Sequence, residues 1–359
     1  MRKMSKKMKS KSRVNGNDNQ INQIGTCVNY GLSYKETKEV CQSLIENEIS
    51  KLSREAKEEA LRREERLNDK LFKLLEEIKL SDKEAINEIR NPDMQFSFIE
   101  AQHANIRVGT EEMENVLSNL LKERLLEKER TTLQIALSEA IKVAPLLLPV
   151  HLNILSLVFT FKYTRRYTIS NEKTFAEFFS NLLEKCLNGI NDDRCLYQHI
   201  EYSKCGNLSI MSYDIAEMIK STYGGLFMKG FTYEEFMNRF ENEQNILKKS
   251  LIIIIPHLRE KDLFQINAMS EDVLKDILEK NLLSKNEVEK VIDFYRENML
   301  SNKQIEQRII KLVPDFKTFI ELWNKNMNQL QLTSVGIILG IINLKNLIGE
   351  NYDMKIWVK

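Results

Sequence analysis

Apolar residues recur at alternating intervals of three and four through the first third of the chain: Val40, Leu44, Ile49, Leu52, Ala56, Ala60, Leu67, Leu71, Leu74 and Ile78. That spacing predicts one amphipathic helix over residues 34–80. Ser33 followed by Glu36 is a capping box that would open it. At 1.5 Å per residue such a helix spans roughly 70 Å, a rod that packs along a bundle or against a second copy. Its middle, around residues 53–66, is almost wholly charged. It is expected either to project past the core or to form an ordinary solvated face.

Punctuation divides the rest of the chain into shorter helices. Asn91 before Pro92 breaks the chain, and a helix from Pro92 is expected to stop at Gly109. Thr110 caps a helix to about Lys128, Thr131 or Thr132 one that stops before Pro145, and Pro149 starts one through Phe161. Ser170 leads a helix over 175–187, and a short helix is expected over Arg194–Tyr202. Thr232, Ser284 and Ser301 each carry a capping-box partner three residues on. Pro314 separates a helix ending near Val313 from one over 315–330. The helix expected over Ser334–Ile348 is apolar on every side and must be buried. The tail 352–358 alternates apolar and polar like a strand, and 20–30 is the other β-prone stretch, so the two are candidates to pair.

Composition supports this reading. Among 359 residues, 42% are hydrophobic and 29% charged, with only 12 Gly and 5 Pro. Few turn formers and many helix formers make the chain all-α. The expected architecture is a multi-helix bundle or irregular helical array with one long N-terminal helix and short β-prone N- and C-terminal segments. Three regions are expected: an arm with a β-prone segment at 1–32, a long helix and bundle at 33–190, and a second helical subdomain at 191–359. The apolar stretch 143–161 contains two prolines, a histidine and an asparagine, so it reads as a core helix rather than a membrane span.

Charge changes the picture at one end only. Residues 1–13 hold seven basic side chains and no acid, while the remainder holds 46 basic and 52 acidic residues. Lys6, Lys7, Lys9, Lys11 and Arg13 could meet phosphate or an anionic membrane, or form a solvated tail. The mildly acidic body argues against a broad nucleic-acid surface there. Five cysteines in a long helical chain suggest reduced thiols in a cytoplasm.

Candidate chemistry gathers at Cys186, Cys195, His199 and Cys205. Three thiolates and an imidazole can hold zinc, although eight, three and five intervening residues lack the usual close cysteine pair; buried cysteines acting as small hydrophobes are the plain alternative. His199 and Cys205 could instead form a thiolate–imidazole pair. Glu100 and His103 have the spacing of half a di-iron motif, with no second copy in the chain. Tyr163, Arg165, Arg166 and Tyr167 could stack on bases, or serve as cations at a helix C-terminus. No phosphate loop or zinc-protease motif occurs, and no cofactor is expected.

Gln20, Ile21, Gln23, Ile24 and Gly25 have the composition of stackable β segments. This stretch resembles the core of the RIP homotypic interaction motif, with Asn22 where that motif has Ile or Val; a short hairpin or linker is the alternative. Taken with Gly31–Tyr34, the 197–202 stretch, Cys205 with Gly206, the 332–336 stretch and the 355–358 stretch, the chain is similar to an uncharacterised family of bacterial proteins. The resemblance implies a cytoplasmic bacterial protein, and the leader suggests anti-phage defence or stress signalling. The leading expectation is therefore a self-assembling helical scaffold, its partner a second copy or another protein. The rivals are a metal or cysteine enzyme centred on Cys195, His199 and Cys205, and a nucleic-acid or anionic-surface binder acting through the arm.

Overall fold

The computed structural model describes residues 53–81 and 85–359, with Glu46, Ile49 and Ser50 before them. Residues 1–32, with their expected arm and Gln20–Gly25 assembly segment, lie outside the described residues, as does the start of the expected 34–80 helix. The all-α expectation holds: among the described residues there are sixteen α-helices and two small two-stranded sheets.

The first described helix, α1 (Arg54–Ser81), is 28 residues, or about 42 Å at 1.5 Å per residue. The expected continuous rod is corrected here. Ser50 lies in a turn closed onto the Glu46 carbonyl, and Ser53 sits outside the helix with its carbonyl accepting the Lys57 amide at 2.8 Å. Serine competes for backbone hydrogen bonds and favours such a helix start over a mid-helix position. The charged middle does not project either. Ala60 and Leu67 are buried, and their basic neighbours turn onto α2 (Pro92–Val108) and α3 (Glu111–Leu126). Arg63 donates to the Ile106 carbonyl at 2.8 Å and Arg66 to the Gly109 carbonyl at 3.1 Å. Cations thus satisfy the carbonyl end of α2.

Local caps set most boundaries. Gly109 ends α2 at φ 68°, and the Thr110 hydroxyl accepts the Met113 amide. Thr131 starts α4 (Thr132–Val143) and Pro149 starts α5 (Pro149–Tyr163). Asn171, one residue beyond the expected Ser170, caps α6 (Glu172–Cys186). Asp193 caps α7 (Arg194–Tyr202) and Asp214 caps α8 (Ile215–Tyr223). Next come α9 (Tyr233–Arg239), α10 (Gln244–Lys248), α11 (Ser250–Ile253), α12 (Glu271–Lys280), α13 (Lys285–Glu297), α14 (Asn302–Leu312) and α15 (Phe316–Lys325). The last helix, α16 (Ser334–Ile348), has the expected bounds and is buried from Gly336 to Leu344.

At the centre α16 lies against α5, and glycines allow its close approach both to α5 and to the turn at Cys205. A Cβ on Gly336 would fall 1.8 Å from the Cys205 carbonyl oxygen, and one on Gly340 would fall 3.0 Å from that of Leu155. The contact buries Asn343, whose amide donates to Asn153 Oδ1 at 3.1 Å and Ser156 Oγ at 2.9 Å. These groups satisfy one another, as burial requires.

Two expectations near the C-terminus are corrected. The 315–330 helix ends at Lys325, where the chain turns through Met327–Gln329 into β4 (Leu330–Leu332). That strand pairs antiparallel with β1 (Gly206–Leu208). The tail is not a strand: Asp353 accepts the Lys355 amide and starts a 3₁₀ turn over Met354–Ile356. Met354 and Val358 are buried, and the Trp357 indole donates to the Tyr163 carbonyl at 2.9 Å.

Apolar side chains form two main clusters. One joins residues 67–227 with 305–358; the second lies wholly within 228–299, where β2 (Ile254–Pro256) pairs with β3 (Phe264–Ile266). The irregular stretch near residue 190 falls inside the first, since Leu183 and Tyr197 both belong to it. No helix among the described residues is long and apolar enough to cross a membrane.

Candidate functional site

Helix α7 runs along the surface with a strongly amphipathic pattern. Tyr197 and Ile200 face inward, and Cys195 and Tyr202 face out. Its end is a left-handed turn at Lys204, where the Cys205 amide closes back on the Ile200 carbonyl at 3.0 Å. That turn buries Cys205 and delivers Gly206 into the β1–β4 pair.

The four proposed metal ligands are separated by this geometry. Cys186 and Cys205 are fully buried and Cys195 is exposed. Burial pushes the thiols of Cys186 and Cys205 up to about 12. The Asp193 carboxylate, through a hydrogen bond and its charge, raises that of Cys195. Each shift disfavours the thiolate that nucleophilic or metal chemistry needs. Among the described residues no group of three or more His, Cys, Asp or Glu side chains is placed to hold a metal. The expected His199–Cys205 pair is not formed: Cys205 Sγ donates to the Ser203 carbonyl at 3.6 Å, and His199 Nε2 lies 2.7 Å from the Leu146 carbonyl.

The partner of His199 is instead His151, at the start of α5. Their rings stack with centroids 4.8 Å apart and planes 25° apart. His151 is buried, and its Nδ1 accepts the Leu148 amide at 3.0 Å, which places the ring hydrogen on Nε2. Burial, with His199 beside it, pulls the His151 pKa down to about 4. His151 Nε2 has no partner. Beside this pair are three exposed apolar residues: Leu146 at 49% and Leu148 at 59%, whose backbones bond the two rings, and Tyr202 at 77%. The Tyr202 ring lies 5.9 Å from that of His199. The corner offers apolar contact area and two imidazoles.

Other candidates take structural places. Glu100 faces Lys142 at 3.7 Å, while His103 is exposed on the same helix. Arg166 pairs with Glu350 and covers the Phe178 ring at 4.6 Å, and Arg165 reaches the Ser221 carbonyl at 3.4 Å. The two arginines bind neighbouring segments rather than the last carbonyls of α5. Lys162 Nζ donates to the Asn328 and Leu330 carbonyls, both at 2.8 Å, above the rings of Tyr213 and Trp323. Burial draws its pKa down to about 8. That site was not visible in the sequence, because its carbonyls come from β4 and the turn before it.

Three of the sequence stretches behind the family resemblance converge in space. Thr333 donates its amide to the Cys205 carbonyl at 3.1 Å and its hydroxyl to that of Lys204 at 2.6 Å. The Tyr163 hydroxyl accepts the Leu332 amide at 2.9 Å, beside Trp357. The 197–206, 332–336 and 355–358 stretches therefore meet at the C-terminal half of α5, and what they share there is packing.

A family model matches residues 31–358. The chain belongs to that family, which is uncharacterised. No curated protein and no solved structure matches the chain.

Proposed function

We propose that the chain is a helical interaction protein that assembles with copies of itself. The observation that carries the reading is the exposed corner of Leu146, Leu148 and Tyr202 beside the stacked histidines. Exposed apolar side chains grouped beside an exposed tyrosine mark an interaction surface, whereas single exposed leucines need no explanation. The Gln20–Gly25 segment supplies a second assembly element of stackable composition, and the arm through Arg13 tunes it by charge. Reduced cysteines support a cytoplasmic setting, and the Asn/Gln-rich leader supports a role in bacterial defence or stress signalling.

Light-scattering mass on three proteins tests the reading: the full chain, the chain lacking residues 1–32, and a Leu148→Asp/Tyr202→Ala variant. The expected result is an oligomer for the full chain and a smaller particle for at least one of the others. A monomeric full chain at concentrations up to those of a typical weak dimer, about 100 μM, would remove the self-assembly reading. If only the truncation loses mass, Ile21→Asp with Ile24→Asp should reproduce it.

A further inference from the structure

The 228–299 unit leaves and re-enters the body through one neck. Met228 and Met299 form an antiparallel bridge, with the Lys229 amide donating to the Asn298 carbonyl at 2.7 Å and the Leu300 amide to that of Phe227 at 2.9 Å. Beside the neck the unit closes on Gly224 and Gly225. A Cβ on Gly225 would lie 2.3 Å from the Ala268 carbonyl oxygen, so glycine is what permits the contact. The Gly225 amide donates to the Met269 carbonyl, and Gln265 Nε2 to that of Gly225, both at 2.9 Å.

A charged cluster spans the same seam. Glu172, the first residue of α6, accepts from Arg308 of α14 at 2.7 Å and from Arg259 of the unit at 3.2 Å. Arg259 also donates to the body carbonyl of Leu226 at 2.8 Å and to that of Met228 at 2.6 Å. One carboxylate thus serves two guanidinium groups, all three mostly removed from water. Arg165 and Asp272 face each other across the seam at 3.8 Å.

His257 organises the turn that carries Arg259. Its Nδ1 accepts the amides of Arg259 at 3.1 Å and Glu260 at 3.0 Å, while Nε2 lies 3.2 Å from the Met228 carbonyl. The ring must therefore be neutral with its hydrogen on Nε2. The charged groups that face it are Arg259 and Glu260 on its own turn and Glu172 from α6, with Arg308 of α14 behind Glu172. A proton on Nδ1 would displace two amide donors. It would also set a third positive charge against two guanidinium groups that share one carboxylate.

We propose that the Glu172–Arg259–Arg308 cluster and the His257 turn form an acid-released latch holding the 228–299 unit against the body. Burial holds His257 below its ordinary 6.5. Its contribution is complete above that value and falls as pH drops through the folded pKa. Burial pushes the Glu172 carboxyl up, and the bonds and charges of Arg308 and Arg259 outweigh it, leaving the group below 4.5. Its contribution lasts to lower pH, so release proceeds with His257 first.

Residue-resolved hydrogen exchange on the full chain, corrected for the intrinsic pH effect, tests the latch. Between pH 7.5 and 5.5 the amides of Gly225, Arg259 and Glu260 should lose protection roughly tenfold, as expected where one proton is taken up across about one pH unit. Measured in a His151→Asn background, which removes the acid response of the body itself, those of Ile338–Ile342, in the centre of α16, should keep theirs. His257→Asn, which retains an acceptor and cannot titrate, should remove the pH response. Glu172→Gln should open the seam already at pH 7.5, and Arg308→Lys should do so to a lesser degree if the glutamine variant loses its body protection as well. A pH response unchanged in His257→Asn, equal loss in the seam and in α16, or a seam indifferent to both Glu172→Gln and Arg308→Lys would each overturn the proposal.

Discussion

The contact between α5 and α16 is dry and close, whereas the contact between the 228–299 unit and the body is charged and narrow. In the first, Gly340 lets the helix backbones meet, and Asn343, Asn153 and Ser156 satisfy each other out of water. In the second, one carboxylate and two arginines bridge segments far apart in the chain. Packing of the first kind is indifferent to pH and salt. The second depends on charge that acid or screening can remove. One chain therefore holds a rigid centre and an attached unit whose docking can be altered separately.

The largest test of that contrast is truncation in each core. Phe161→Ala removes a ring that stacks on Phe179 and Phe319 at centroid distances of 5.1 and 4.6 Å. It should lower stability by about 3–5 kcal/mol and shift the denaturant midpoint of the whole chain. Phe236→Ala, inside the second cluster, should cost about as much but release amide protection only within 228–299. Equal loss across both regions would end the comparison.

Overpacking comes next. Gly336→Ala sets a methyl group against the Cys205 backbone and should cost about 1–3 kcal/mol or more, read from the thermal midpoint. Gly189→Ala meets open space at φ 79°, and only backbone strain of about 1 kcal/mol applies.

Acid should separate the two buried histidines. His151 has a folded pKa of about 4 against an ordinary 6.5. Its share of stability is complete above 6.5 and is lost as pH falls toward 4, so the body should unfold more easily across that window. His151→Asn should flatten this dependence in urea titrations without touching the seam. Thiol labelling sharpens the same inside–outside contrast: Cys195 should react with iodoacetamide at pH 8 in the native chain, and Cys186 and Cys205 only after denaturation.

The smallest effect is expected at Leu282, an exposed leucine at φ 60° between α12 and α13. Leu282→Gly should leave stability unchanged or raise it by about 0.5–1 kcal/mol, because glycine adopts that backbone without strain. A loss would mean that the leucine makes a contact of its own.

The sequence by itself determined most of the helices and many of their ends, though not α8 in the irregular stretch after residue 206. Gly109, Thr110, Thr131, Thr232, Ser284 and Ser301 stop or start helices through bonds to residues three or four away, so no distant contact is needed to read them. The burial of α16 followed from its apolar composition on every side. The tertiary structure alone decided the rest. Leu330–Leu332 became a strand because Gly206 lies across from it, and the 352–358 tail turned because Trp357 and Val358 found the body. The candidate site divided in the same way. The helix bearing Cys195 and His199 was legible, but the ring facing His199 comes from α5, and Cys205 is sealed under Gly336. Local propensity acts within a few residues, while burial, pairing and charge depend on what the fold brings alongside.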